Sequence, residues 1–295
     1  MANKTAMIDV GGGFRAIFGA GVMDRMLEDD VNVDHCYGVS AGSANMVSFI
    51  AGQKGRNHKF YTEYAFRKEY ASLDSYVKNH NYANLDYVYG TLSNHDGEYP
   101  VDFEAFEANP TEFTVVACNA EDGSTKYFDK SDVSFDNFDI MKASSAVPVA
   151  CEPYVIDGVP YFDGGIADPI PVQKALDDGC DRVVVVLTRM QDVLREQKKD
   201  IAPARLLKHS YPAAAERLLN RYKTYNDEVA LAKQLEGGAC ADHRAGKPVW
   251  SEHAEQVVRR FGTHVSSRLL RRGVDRAIPC KLTFRQPAPR PADAC

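Results

Sequence analysis

The residue types that could do chemistry in this chain gather in a few short glycine-, serine- and aspartate-rich segments. Gly38-x-Ser40-x-Gly42 lies between the apolar run His35 to Val39 and the small-residue helix start Ala41-Gly42-Ser43-Ala44. A serine on so tight a strand-to-helix turn takes a strained backbone, and its flanking glycines let neighbouring segments pass without a Cβ clash. The helix that follows aims its first backbone N–H groups at charge developing near the hydroxyl. That pattern suits a serine nucleophile, Ser40, with Gly38 and Gly42 as the elbow.

Gly11-Gly12-Gly13-Phe14-Arg15-Ala16 admits two chemistries. As an oxyanion hole, the amides of Gly11, Gly12 and Gly13 face a tetrahedral oxyanion while Arg15 adds positive charge or anchors the loop. As a dinucleotide fingerprint, Gly11, Gly13 and Ala16 fit G-x-G-x-x-A after a first strand, with Asp34 near the position of a ribose-binding acid. The cofactor reading leaves Ser40 and Asp163-Gly164-Gly165 without a role, whereas the hydrolase reading uses all three segments. On its own Asp163-Gly164-Gly165 reads as a turn, and Ala143-Ser144-Ser145-Ala146-Val147-Pro148 as a helix end stopped by proline.

The elements that position these segments follow from apolar periodicity. Ala6 to Val10 reads as a short buried strand, followed by a helix from about Ile17 to Glu28. Further strands fall at His35 to Val39 and at Phe113 to Cys118. Tyr154-Val155-Ile156 and Tyr161-Phe162 flank Asp157-Gly158, a hairpin turn signal. Arg182 to Leu187 is continuously apolar and β-branched after its first residue, as expected of a parallel strand covered on both faces. A helix precedes it at Val172 to Leu176, and helical patterns follow from about Ala202 to Leu235. Alternating strands and helices predict an α/β fold with a mostly parallel sheet. The Tyr-rich stretch from Phe60 to Tyr99 reads as a helical or loop insertion.

Taken in order, Gly-Gly-Gly-x-Arg, Gly-x-Ser-x-Gly, Ala-Ser-x-Ala-x-Pro and Asp-Gly-Gly resemble the patatin-like phospholipase family over about residues 5 to 235. The resemblance implies a three-layer α/β/α domain and a lipid acyl hydrolase of the bacterial type. It also implies a Ser–Asp dyad, with Ser40 as nucleophile and Asp163 as proton acceptor, and neither metal nor cofactor. Phospholipids or other fatty-acyl esters are the implied substrates. Ala16 departs from the family, which has glycine there; a methyl group removes no amide. A Ser-His-Asp triad is the competing serine chemistry. Of the histidines, His209, His243, His253 and His264 follow Asp163, and His209 sits in a polar stretch that reads as solvated surface. A catalytically silent member of the fold is the remaining alternative.

Bulk properties set the boundaries. The chain has 295 residues, 44% of them hydrophobic and 26% charged, with a net charge of −6 that gives no reason to expect nucleic acid. No apolar run approaches the roughly 18 residues of a membrane span, and the N-terminus does not read as a signal peptide. Seven scattered cysteines without a CxxC pair argue against zinc and suggest reduced thiols in the cytoplasm. A cytoplasmic protein with a lipid-like substrate is expected to touch membranes peripherally and transiently. Composition divides the chain into an acidic domain, 1–236, and an Arg-rich tail, 237–295, holding three cysteines and a Pro-rich end. The family's last strand and helix are not recognisable in that tail, which reads either as a disordered basic segment or as a frameshift product. Shifting the codons from Ala241 by one nucleotide permits an apolar strand and turn of the missing kind.

Overall fold

In a computed structural model of the chain, which describes residues 4–190 and 192–237, a seven-stranded sheet is sandwiched between helices. The strands are β1 (Thr5–Asp9), β2 (His35–Val39), β3 (Glu112–Asn119), β4 (Thr125–Asp129), β5 (Tyr154–Ile156), β6 (Val159–Asp163) and β7 (Arg182–Val186). The helices are α1 (Ile17–Glu28), α2 (Ala41–Ile50), α3 (Arg56–Thr62), α4 (Leu73–Asn79), α5 (Phe103–Ala108), α6 (Asp139–Ser145), α7 (Val172–Asp177), α8 (Ile201–Leu207) and α9 (Pro212–Gly237). The Arg-rich tail lies outside the described residues.

Strands β3, β2, β1 and β7 run parallel at the centre, while β4, β5 and β6 add antiparallel pairings on one side. Both faces of the parallel core are buried, and alternation along each strand sends its side chains to opposite layers. Met7, Cys36, Val115, Val184 and Val186 pack into one cluster with α1, α2 and α6. Ala6, Ile8, Tyr37, Val183, Val185 and Leu187 pack into another, with Tyr225 and Val229 of α9. This is the expected three-layer α/β/α architecture, with the parallel region confined to four strands.

The expected hairpin forms between β5 and β6, and Asp157 and Gly158 both take positive φ, 49° and 80°. Two positive φ values in succession are what a two-residue hairpin of type I′ needs, and Asp-Gly tolerates them. The Tyr-rich insertion contributes α3, α4 and irregular turns, and its buried Phe60, Tyr64, Val88 and Tyr89 join the first cluster.

The pairing of β3 decides how the site is built. One edge of β3 pairs with β4 along Thr114–Cys118. The other edge is shared. β2 occupies it up to Val39 opposite Val116, and β6 takes over with Asp163 opposite Ala117. Two strands running in opposite directions therefore end against each other, and the residues at their meeting point are Val39-Ser40 and Asp163.

Candidate active site

Ser40 occupies the turn between β2 and α2 with φ 57° and ψ −134°, a conformation strained for any residue with a Cβ. Its amide donates to Ser144 Oγ at 2.8 Å, and its carbonyl accepts from Ser43 N at 2.9 Å and from Ser43 Oγ at 2.7 Å. The Ser40 side chain is near enough to the Asp163 carboxylate to favour its ionised form. Asp163 is held in turn by its amide on the Ala146 carbonyl at 2.8 Å and by Gly165 N donating to Oδ1 at 2.7 Å. The end of α6 thus clamps both strand ends at once, Ser144 gripping the serine and Ala146 the aspartate. Sequence reasoning singled out the Ala-Ser-x-Ala-x-Pro segment but assigned it no such role, because a hydroxyl accepting a distant amide leaves no local pattern.

The close approaches explain the glycines. A Cβ on Gly11 would stand 2.2 Å from the Val39 carbonyl oxygen and 2.9 Å from Gly42 N, and Gly11 also has φ 62°. On Gly42 it would stand 2.2 Å from the Asp9 carbonyl oxygen, and on Gly38, 2.4 Å from Ser43 Cα. The glycine loop is thus pressed directly onto the elbow, with no room for a side chain.

Within that loop the three glycines are not equivalent. Gly11 N donates to Asp9 Oδ1 at 2.9 Å, so its amide is committed to the scaffold. This corrects the expectation that all three amides face an oxyanion. Those of Gly12 and Gly13 have no acceptor among the described residues. Thr188 Oγ1 donates to the Gly11 carbonyl at 2.6 Å. In a trans peptide the carbonyl and the next N–H point opposite ways, so this bond turns the Gly12 N–H away from Thr188. Thr188 was invisible in the sequence because it follows a strand with no motif around it.

Arg15 folds back along the loop, its Nη2 only 2.9 Å from where a Gly12 Cβ would be. Its Nε is buried with no partner, and burial together with repulsion from Arg189 lowers its pKa. Asp34, the ribose-binding candidate, precedes β2 and accepts from Thr5 N at 2.7 Å. It stands at the opposite end of the sheet from the glycines, where it cannot serve a nucleotide bound on them. His209 lies exposed in the turn between α8 and α9 rather than within a helix, and His243, His253 and His264 fall outside the described residues. Among the described residues no group of three or more His, Cys, Asp or Glu side chains is placed to hold a metal.

Residues 10–176, more than half of the chain, match the model of the patatin-like phospholipases. The chain belongs to this family. It is also 32% identical over 188 residues to the uncharacterized protein YjjU of Escherichia coli K12, a match covering 63% of this chain and 52% of that protein. The chain therefore spans about half the length of that relative. Patatin-like phospholipases are hydrolases of lipid esters, and the matched region contains both Ser40 and Asp163.

The electrostatics of the patatin-like site follow from burial. Asp163 is buried, which pushes its carboxyl above the ordinary range. The Ser40 hydroxyl and Gly165 amide oppose the shift, followed by the more distant charges of Arg221 and Arg195. A carboxylate desolvated in this way is a stronger base than one in water.

Beside the elbow, a narrow cleft runs from Ala41 into the first core cluster, with Asn45, Asn57 and Ser93 among its polar lining. Val47, Phe60, Val88, Phe138 and Met141 line it. Arg56, nearly fully buried at its wall, is satisfied by Ser48 Oγ, Ser93 Oγ and the Tyr99 carbonyl and stacks 4.5 Å from the centre of the Phe60 ring.

Proposed function

We propose that this protein is a lipid acyl hydrolase that cleaves fatty-acyl ester bonds through Ser40 and Asp163. The observation that carries the reading is the meeting of the Ser40 turn and Asp163 at the shared edge of β3, both strand ends held by the end of α6. Asp163 takes the Ser40 proton as Oγ attacks the ester carbonyl carbon. The oxyanion forms against the uncommitted amides of Gly12 and Gly13 and the N-terminal end of α2. The ester C–O bond then breaks, and the proton on Asp163 passes to the departing alcohol. Water attacks the acyl-serine with Asp163 again as base, releasing the fatty acid.

Among the described residues no helix is long and apolar enough to cross a membrane. Peripheral contact with a lipid surface is part of the proposal. It is supported by Phe14 on the glycine loop, which packs its ring 6.2 Å from that of Tyr70 while remaining 44% exposed. Leu73 and Val77, one turn apart on α4, are also exposed. The four cysteines within the described residues are buried and unpaired, which agrees with a reducing cytoplasm. Residues 1–236 form the acyl hydrolase domain in this reading.

Labelling with a fluorophosphonate probe tests it. The wild-type protein is expected to label, Ser40→Ala is expected not to, and His209→Ala is expected to label and hydrolyse p-nitrophenyl butyrate at the wild-type rate. A wild-type protein that refuses the probe is a silent member of the fold, and loss of activity in a folded His209→Ala points to a triad.

A further inference from the structure

The Tyr-rich stretch between Phe60 and Tyr99 reaches the end of α6 from two sides. Tyr87–Thr91 forms one turn of π-helix, closed by Leu92 N donating to the Tyr87 carbonyl at 2.9 Å. Single π turns are rare and gather at functional sites. Tyr89, at the centre of this one, is buried in the wall of the cleft beside Met141 of α6. Its hydroxyl shares a hydrogen bond with Ser145 Oγ at 3.0 Å. Burial pushes the Tyr89 phenol up to about 12, opposed by the Ser145 hydroxyl and reinforced by the Asp163 charge, so it stays neutral through the physiological range. From the other side Tyr82 N donates to the Ala150 carbonyl at 2.7 Å. That bond holds the turn Val147–Ala150, in which Val149 takes φ 70°. A β-branched residue keeps such a backbone only where its surroundings impose it.

Between these two contacts lie the groups that hold the reacting residues. Ser144, buried, accepts the Ser40 amide at 2.8 Å, and the Ala146 carbonyl accepts the Asp163 amide at 2.8 Å. Ser145 stands between them in the chain. Ser40 itself keeps φ 57° only while its neighbours over-determine it. A shift at Ser145 is therefore passed to nucleophile and base together, and misplacing oriented groups by about 1 Å costs on the order of 10²-fold in rate.

We propose that the Tyr-rich insertion braces the α6 clamp, with Tyr89 as a positioning residue that fixes Ser40 and Asp163 through Ser145. This rests on the acyl-hydrolase reading above. Tyr89 acts through the end of α6 rather than on the ester, so its removal lowers turnover and leaves substrate binding in place.

The rate of fluorophosphonate labelling reads the nucleophile, and steady-state hydrolysis of p-nitrophenyl butyrate separates kcat from KM. Tyr89→Phe keeps the ring in the cleft wall. It is expected to lower the labelling rate and kcat at least about fivefold, the worth of one hydrogen bond, with KM unchanged within about twofold. Ser145→Ala removes the other half of the same bond and is expected to give the same loss, with the double variant no worse than either single one. Tyr154→Phe serves as control, because Tyr154 donates to Asp139 Oδ1 at 2.8 Å in the first turn of α6, away from the clamp. Its rates are expected to match the wild type, all rates being taken on protein shown to be folded by circular dichroism. Unchanged rates in Tyr89→Phe, losses that multiply in the double variant, or an equal loss in Tyr154→Phe overturn the brace and leave the acyl hydrolase standing. Wild-type protein that neither labels nor hydrolyses the ester overturns the hydrolase reading, and the brace with it.

Discussion

Asp9 ends β1, Asp163 ends β6, and the two carboxylates begin from the same local design. Each accepts the amide of a glycine two residues on, from Gly11 at 2.9 Å and from Gly165 at 2.7 Å. Each is buried, and burial raises the pKa of each, that of Asp9 to about 6. The difference lies at the remaining oxygen. Asp9 Oδ2 receives the Asn45 side-chain amide at 2.8 Å, and Asn45 itself donates to the Ala16 carbonyl and accepts from Tyr61. An amide proton stays where it is. Asp163 instead has the Ser40 hydroxyl as its neighbour, whose proton is able to move when the oxygen attacks an electrophile. One turn type therefore serves as a strut at the glycine loop and, in the proposed mechanism, as a base at the elbow, depending only on the donor opposite it.

Exchanging each carboxyl for its amide should separate these roles. Asp163→Asn is expected to lower kcat on acyl esters by about 10²–10⁴-fold while leaving a folded protein, measured by steady-state kinetics beside circular dichroism. Asp9→Asn sets an amide against donors from Gly11 and Asn45, and is expected to cost about 1–3 kcal/mol in urea unfolding. If Asp9→Asn instead matched Asp163→Asn in kcat at unchanged stability, the strut would be part of the chemistry.

Acidity sharpens the contrast. A carboxyl raised from 3.8 to about 6 favours the protonated fold. Its contribution to stability is present in full below pH 4 and is lost as pH rises through about 6. The stability difference between wild type and Asp9→Asn should therefore move against the wild type by about 2–3 kcal/mol between pH 4 and pH 7. Urea midpoints across that range check it, and a flat difference would show Asp9 ionised throughout. At Asp163 the same direction of shift acts on activity. The acid limb of kcat/KM should lie above the ordinary aspartate range, since only the ionised carboxylate takes a proton.

The smallest effect concerns the elbow itself. Ser40→Gly removes the Cβ from a backbone at φ 57° and should raise stability by about 1 kcal/mol while abolishing probe labelling. Destabilisation instead would mean that the side chain's interactions beside Asp163 outweigh the strain.

Much of the scaffold was legible in the residues. The helix at Ile17–Glu28 and the strand at His35–Val39 form where apolar periodicity put them, and the Asp157-Gly158 turn closes its hairpin. Strand β4 was not legible, because Thr125-Lys126-Tyr127-Phe128-Asp129 buries only Phe128 and gives no apolar signal. Asp9 drew no notice within the apolar strand Ala6 to Val10, although its Asp-x-Gly pattern recurs at Asp163-Gly164-Gly165. The meeting of β2 and β6 lay beyond reach, since it depends on which edge of β3 each strand takes and no local pattern encodes an edge.

That shared edge has a kinetic meaning. Ser40 and Asp163 touch only after β3 has received β2 from early in the chain and β6 from much later. Contacts between such distant segments close slowly, because the intervening loop entropy must be overcome first. A chain emerging from the ribosome carries the residues of the elbow and glycine loop long before β6 exists to deliver the aspartate. In the proposed mechanism, partly folded forms carry the nucleophile without its base, and membranes near the site of synthesis are spared until the sheet is finished.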